Sequence, residues 1–409
     1  MTEPARRPLP AGLRAFRHRD FRLFWTGQAV SLVGTWMQSV AQAWLVLELT
    51  GSAFRLGLVG ALQFSPMLAF GFLAGALSDR LPKRRLMIVS QTTMLAQALA
   101  LALLVAYGHV EFWHVAVLAT VYGVANTLDI PARQAFMVEL VGRDDLMNAI
   151  ALNSAMFNGA RIVGPAVAGV VIAGWGLGPA FFLNALSFVA VLAALLLVRA
   201  RGLPRRAAGT SIRAEIVEGV AYALRTPRIA LTLSLVLVVS AFLFNYSVIV
   251  PLLARDVLGQ EAEGFGLLMA MVGLGAIGAA VTLAVLGRGQ PPLTALVAPA
   301  LVLAAAMLGL AAVRQMWLAS IVLAVMGYTG ILVMAGANTT LQLTVPDELR
   351  GRVMSLHMLV FAGITPVGNL LMGALIETLG VPGGVALAGG AGLVSVLGLT
   401  AWWRGRSVA

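Results

Sequence analysis

Cysteine is absent from the chain, which excludes disulfides, cysteine-ligated metal and thiol catalysis. Histidine is almost as rare. Four occur, at 18, 109, 114 and 357, and none pairs at a metal-ligand spacing on one helix face, so no metal site is expected. Charge is scarce too: 11% of residues are charged against 60% hydrophobic. A water-soluble chain of 409 residues needs more polar surface than that. The mean hydropathy of +0.91 makes lipid the solvent for most of the chain. No P-loop is present, so nothing supports ATP-driven work by this chain, and no nucleophile–base pair suggests an enzyme. The run Gly273-Leu-Gly275-Ala-Ile-Gly278 has the spacing of a dinucleotide loop but sits inside an apolar segment with no strand before it. It reads as a close helix contact, and no cofactor is expected.

What the chain has is long apolar runs. A helix needs about 20 such residues to cross the hydrocarbon core. Twelve spans are expected, over 22–49, 53–78, 85–107, 112–133, 146–174, 178–199, 229–252, 263–287, 293–312, 315–342, 352–378 and 382–403. The first is too long for a secretory leader and reads as a retained helix. The fold class is therefore an all-α membrane protein.

The net charge of +11 could suggest nucleic acid, but its placement argues otherwise. With the N-terminus inside, all but four of the 28 Lys and Arg residues fall on the cytoplasmic side. The exceptions are Arg55, Arg255 and Arg314 opposite, and Arg161 within a span. This asymmetry places both termini and the central loop in the cytoplasm, in a cell (inner) membrane protein. The basic residues are topology signals able to meet anionic lipid headgroups, and no nucleic-acid partner is expected.

The chain also repeats itself. At an offset of 204 residues, Val141/Val345, Leu152/Leu356, Phe157/Phe361, Gly159/Gly363, Val163/Val367, Gly164/Gly368, Gly169/Gly373 and Ile172/Ile376 are identical. Asp144 and Glu348 are both acidic. Helix five thus answers to helix eleven. A shift of six helices preserves orientation, so the halves are parallel six-helix repeats about an axis along the membrane normal. The expected division is a tail over 1–21, a bundle over 22–199, a linker over 200–228, a second bundle over 229–403 and a tail over 404–409. A short amphipathic helix is expected at 213–224.

Polar residues inside apolar spans are the candidate site. Gln28, Ser31, Thr35, Gln38 and Gln42 recur every three or four residues, forming one stripe on the first helix. Lipid cannot satisfy these groups, so they line a cavity or clamp neighbouring helices. Ser154, Asn158 and Arg161 share a face of the fifth helix. A charge in mid-span costs roughly 2.5–3.5 kcal/mol on insertion scales, so Arg161 either contacts substrate or is bonded to protein. Asn245 and Tyr246 interrupt the seventh span, Asn338 and Gln342 share a face of the tenth, and His357, Thr365 and Asn369 mark the eleventh. Glu48 and Glu377 lie toward outer helix ends, where solvation accounts for them; Asp129 lies toward the inner end of helix four.

These residues carry a resemblance. Gly75-Ala-Leu-Ser-Asp79-Arg80-Leu-Pro-Lys83-Arg84-Arg85 resembles the loop signature between helices two and three of the major facilitator superfamily, with Pro82 replacing a glycine. Asp129-Ile-Pro131-Ala-Arg133-Gln134 and Asn153…Arg161-Ile-Val-Gly164-Pro165 look like the branch of enterobactin-exporter-like and macrolide-efflux-like proteins. The resemblance covers nearly the whole chain. It implies a conformational latch of Gly75, Asp79, Arg80, Lys83, Arg84 and Asp129. Asp79 would meet the start of helix eleven near Arg350, and Arg80 or Arg84 would meet Asp129. Gly164-Pro165-Ala-Val-Ala-Gly169 is similar to the helix-five motif of antiporters, which implies a bend there and export. The Arg-x-x-Gln-Gly pattern tied to proton coupling is replaced by Val121-Tyr-Gly123-Val-Ala-Asn126. The resulting expectation is a monomeric, proton-coupled alternating-access exporter of a bulky amphipathic molecule, drug or siderophore-like. A channel or scramblase, or a scaffold without transport, is the alternative.

Overall fold

The computed structural model describes residues 11–200, 220–286 and 289–407. Helix forms wherever the apolar runs stand, because a backbone surrounded by lipid must satisfy its own N–H and C=O groups. A short 3₁₀ helix, Ala11–Arg17, precedes α1 (Arg19–Thr50), α2 (Ala53–Arg80), α3 (Lys83–Ala106), α4 (Phe112–Val141), α5 (Leu146–Trp175) and α6 (Leu177–Leu197). Then follow α7 (Pro227–Val257), α8 (Ala262–Leu286), α9 (Thr294–Ala312) and α10 (Met316–Thr344). The last helical stretch, Asp347–Ser407, is broken at Gly380, whose φ of 70° only glycine adopts cheaply. The chain reverses there: a Cβ on Gly384 would lie 2.9 Å from the backbone nitrogen of Ile376. We therefore number its arms α11 (347–379) and α12 (381–407).

The ends of α1 and α2 show how tightly the turns are specified. Gly51 takes the left-handed conformation (φ 61°) and returns its N–H to the Leu47 carbonyl. Ser52 then caps α2, accepting from the Arg55 N–H at 3.2 Å.

The two-half plan is visible in the packing. In the first half α1 lies on α5 and α6, α2 on α4, and α3 on α4 and α6. A shift of six gives the second half: α7 against α11 and α12, α8 on α10, and α9 on α10 and α12. The halves meet through α2 with α11 and through α5 with α8, which are images of each other under the same shift. The expected linker and the expected amphipathic helix at 213–224 lie mostly over 201–219, outside the described residues; residues 220–225 are helical.

Glycines set the distances between helices, because interfaces in lipid depend on close packing. Gly273, Gly275 and Gly278 are such a seam and not a nucleotide loop. A Cβ on Gly275 would fall 1.9 Å from the Ala324 carbonyl oxygen of α10, and one on Gly273 would strike Ile162 of α5 at 2.5 Å.

The contacts between halves lie toward the end of the molecule opposite the N-terminus, called the far end below. There Gly57 and Gly60 of α2 abut Asn369, Gly373 abuts Ala53, and Gly169 and Gly266 bring α5 onto α8. Toward the other end, which carries the α2–α3 turn, Gly75 and Gly351 have nothing within 4 Å among the described residues. Phe70, Leu73 and Leu77 of α2 are exposed there, whereas Leu68 packs on Gly363 of α11. Among the described residues, the close glycine contacts and hydrogen bonds between the halves lie at the far end and at mid-depth.

Candidate functional site

The helix-one stripe divides in the structure. Gln38 donates to Gln97 of α3 at 2.9 Å and accepts from Asn184 of α6 at 2.7 Å. It therefore clamps the first half internally and does not line a space between halves. Gln42 donates to Gln63 of α2 at 3.0 Å, also within the first half. Thr35 returns its hydroxyl to the Ser31 carbonyl. Gln28 and Ser31 are buried, and the Gln28 Oε1 finds no partner among the described residues. Two of the five stripe residues, Gln38 and Gln42, thus fasten α1 to its own bundle.

The residue that joins the two halves at mid-depth is Arg161. It is buried on α5, and its guanidinium carbon lies 5.9 Å from the ring of Trp36 on α1 and 5.9 Å from the ring of Phe244 on α7. Phe157 packs edge-on against Trp36 at 5.8 Å, and Phe361 of α11 stands 6.3 Å from Phe244. Phe244 is placed by the break in α7. Turns of π-helix at Val239–Leu243 and Leu253–Val257 flank a short α-helical stretch, and the helix opens at Phe244 and Asn245. Broken helices of this kind belong where backbone lines a cavity. Tyr246 fixes the break by donating to the Met326 carbonyl at 3.0 Å.

Arg161 has no ion pair or hydrogen bond among the described residues. Its two ring contacts are at the edge of the roughly 6 Å range and contribute about 0.5–1 kcal/mol each. The charge costs roughly 2.5–3.5 kcal/mol in mid-span. The surrounding protein leaves it undercompensated. The Trp36 Nε1–H is also buried without an acceptor.

The other expected residues scatter. Asn158 donates to the Ser154 carbonyl one turn back. Asn245 donates to Ala241 at 2.9 Å, leaving its carbonyl oxygen unpartnered. Asn369 is buried against Gly57 and Gly60 in the closed seam. His357 is buried with both ring nitrogens unpartnered. Gln342 bonds Asn338 on its own helix. Helix α5 runs unbroken through Pro165, with Gly164 against Trp36 and Gly169 against the backbone of Glu263. The expected helix-five motif therefore works as a close-packing surface on both α1 and α8.

At the basic end the pairing differs from the expected one. Asp129 is buried and accepts from Gln91 at 2.9 Å, with Arg133 at 3.5 Å one turn away. Neither Arg80 nor Arg84 is its partner. Arg84 instead donates to the Leu195 and Leu196 carbonyls, at 2.7 and 2.9 Å, where a cation complements the end of α6. Lys83 is buried and pairs with Glu139 of α4 at 3.2 Å. Arg80 is exposed and Gly75 faces open space. The side chain of Asp79 lies outside the described residues.

The far end holds two charges that cross between the halves, of which sequence alone assigned Glu377 to solvent. Glu377 of α11 accepts from the Ser52 hydroxyl at 3.1 Å and from the Phe54 N–H at 3.1 Å, placing an anion on the N-terminus of α2. Arg255 of α7 donates to the Leu47 carbonyl at 3.0 Å, placing a cation near the C-terminus of α1. Both ends of the α1–α2 turn are thus held by charges from the other half. Glu48, by contrast, has no such contact among the described residues.

The model of the transmembrane secretion effector family matches residues 11–404. The chain belongs to this family of major facilitator transporters. The staphyloferrin A transporter of Staphylococcus aureus is 25% identical over 363 residues, covering 88% of this chain and 90% of that one. The multidrug efflux pump Tap of Mycolicibacterium fortuitum is 30% identical over 360 residues, covering 85% and 87%. The crystal structure of the nucleoside transporter NupG superposes with a TM-score of 0.75 at 12% identity, over 94% of this chain and 98% of that one, a likeness of fold. The protein is a multi-pass membrane transporter and not an enzyme. In the transporter, the Arg161 cluster joins side chains of both halves.

Proposed function

We propose that this transporter exports a bulky amphipathic small molecule across the cell membrane, by alternating access and at the expense of the proton gradient. The observation that carries the reading is the asymmetry of the described contacts: the halves pack on glycine seams and crossed charges at the far end, with Arg161 and its aromatic neighbours at mid-depth. The charge distribution supports a cytoplasmic basic end, so this is the state that loads substrate from inside. Similarity to an efflux pump over most of both chains supports export. Each half rocks against the other as a unit, and one chain, a monomer, suffices. The Asp79, Arg80, Lys83, Arg84 and Asp129 region then serves as the latch that forms when the basic end closes. Among the described residues, buried groups able to carry a proton include Asp129 and His357.

Efflux of a labelled panel of drugs and siderophores from proteoliposomes, with and without an imposed pH gradient, tests the proposal. Saturable, gradient-dependent flux is expected. Flux that neither saturates nor couples would make the protein a channel, and no flux across the panel would sink the transport reading.

The far-end contacts supply a second expectation. An exposed anion at a helix N-terminus stabilises by roughly 0.3–1 kcal/mol. Glu377→Gln should therefore lower the population closed at the far end by up to about fivefold. Ala53 is buried in that seam, and the chain offers no other thiol. Ala53→Cys labelling by an impermeant maleimide should quicken accordingly in the Glu377→Gln background. An unchanged rate would show that Glu377 holds nothing closed.

A further inference from the structure

We infer that the site between the halves takes the anionic group of its substrate, a carboxylate or a group of like charge, on Arg161 and Trp36. This deepens the transport reading above and rests on it for the word substrate. Three observations point the same way. Arg161 is 8% exposed, lies in mid-span, and makes no ion pair and no hydrogen bond among the described residues. The Trp36 indole N–H, on the ring that flanks it, is buried without an acceptor as well. Two donors from different helices thus lack a described hydrogen-bond partner, one on a ring and one over its face, and no described carboxylate pairs with the cation.

The rings give the rest of the ligand its character. Trp36 and Phe244 hold the guanidinium by their faces, which leaves its N–H edge for an acceptor. Phe157 and Phe361 extend the aromatic surface on either side. A molecule with an apolar, planar part and one anionic group matches both features. A cationic amphiphile does not: it would add like charge beside a buried, unneutralised guanidinium.

A structural Arg161 and a ligand-binding one make opposite predictions for stability. If it were a strut between halves, Arg161→Gln would lower the thermal midpoint. As an undercompensated charge awaiting a ligand, it costs stability, and Arg161→Gln should leave the midpoint equal or raise it.

Binding is tested on purified protein with naphthoxyacetate, the neutral naphthoxyacetamide and the cationic naphthoxyethylamine, by tryptophan fluorescence and by shift of the thermal midpoint. The wild type should bind the carboxylate at least 10-fold more tightly than the amide or the amine. Arg161→Gln should erase that preference, and Arg161→Lys should keep part of it. Equal binding of the three probes, preference for the amine, no carboxylate binding at millimolar concentration, or a carboxylate preference that survives Arg161→Gln would each overturn the inference. Charge-ranked binding without flux in proteoliposomes would leave this inference standing and defeat the transport reading alone.

Discussion

Gly57→Val is expected to cut transport by more than 10-fold while leaving the protein folded. A Cβ at Gly57 would lie 2.4 Å from the Asn369 carbonyl oxygen, across the seam between halves. Backbone cannot yield that far, and overpacking costs about 1–3 kcal/mol or more. The cost falls on one state only. When the far end parts, α2 and α11 separate and the added methyl groups meet no obstacle. A penalty of about 2 kcal/mol on the closed state shifts the balance by roughly 30-fold. Each half keeps its own packing, so yield and helicity should match the wild type. The Ala53→Cys thiol should react at least 10-fold faster in this variant. Normal flux with an unreactive thiol would mean that the far-end seam does not open and close.

Gly275→Val should instead abolish folding. Its Cβ would lie 1.9 Å from the Ala324 carbonyl oxygen, within the second half, where α8 and α10 remain packed in every state of a rocking mechanism. Gly327 approaches the Val272 carbonyl from the opposite side, at 2.1 Å for its own Cβ, so neither helix can retreat without losing the other contact. The expected penalty, about 3 kcal/mol or more, is a large share of the 5–15 kcal/mol that holds a typical domain together. Size-exclusion chromatography of the detergent extract should show aggregate in place of the wild-type peak. A monodisperse variant with wild-type thermal stability would contradict the seam. The two glycine variants have the same chemistry and nearly the same clash. Their different outcomes follow from whether the contact lies between halves or inside one.

Much of the fold was legible because lipid simplifies the code. Long apolar runs give the spans, and the match of 141–172 with 345–376 gives the repeat that packing reproduces as paired images. The break in α7 was readable from Asn245 and Tyr246 among apolar neighbours. The site was less legible. Periodicity marks the face on which Gln38 and Gln42 lie but not which neighbour that face meets, and the neighbours proved to be α2, α3 and α6. Arg161 stood out by its charge, whereas Trp36, Phe244 and Phe361 did not, since an aromatic residue between helices reads like one beside lipid. Glu377 was assigned to solvent for a similar reason. A carboxylate at a helix end is usually hydrated, and only the fold brings it to the N-terminus of α2, more than 300 residues away in the chain.

The central claim is that the two halves open one end while closing the other. The absence of cysteine allows spin-label pairs to be placed without background. One pair at Glu48 and Leu379 reports the far end, and one at Leu81 and Leu343 reports the basic end; all four positions are exposed. Double electron–electron resonance in lipid nanodiscs should show two distances for each pair. Adding Gly57→Val should lengthen the far-end distance and shorten the basic-end distance together. Distances that stay fixed, or that lengthen at both ends at once, would contradict alternating access in this protein.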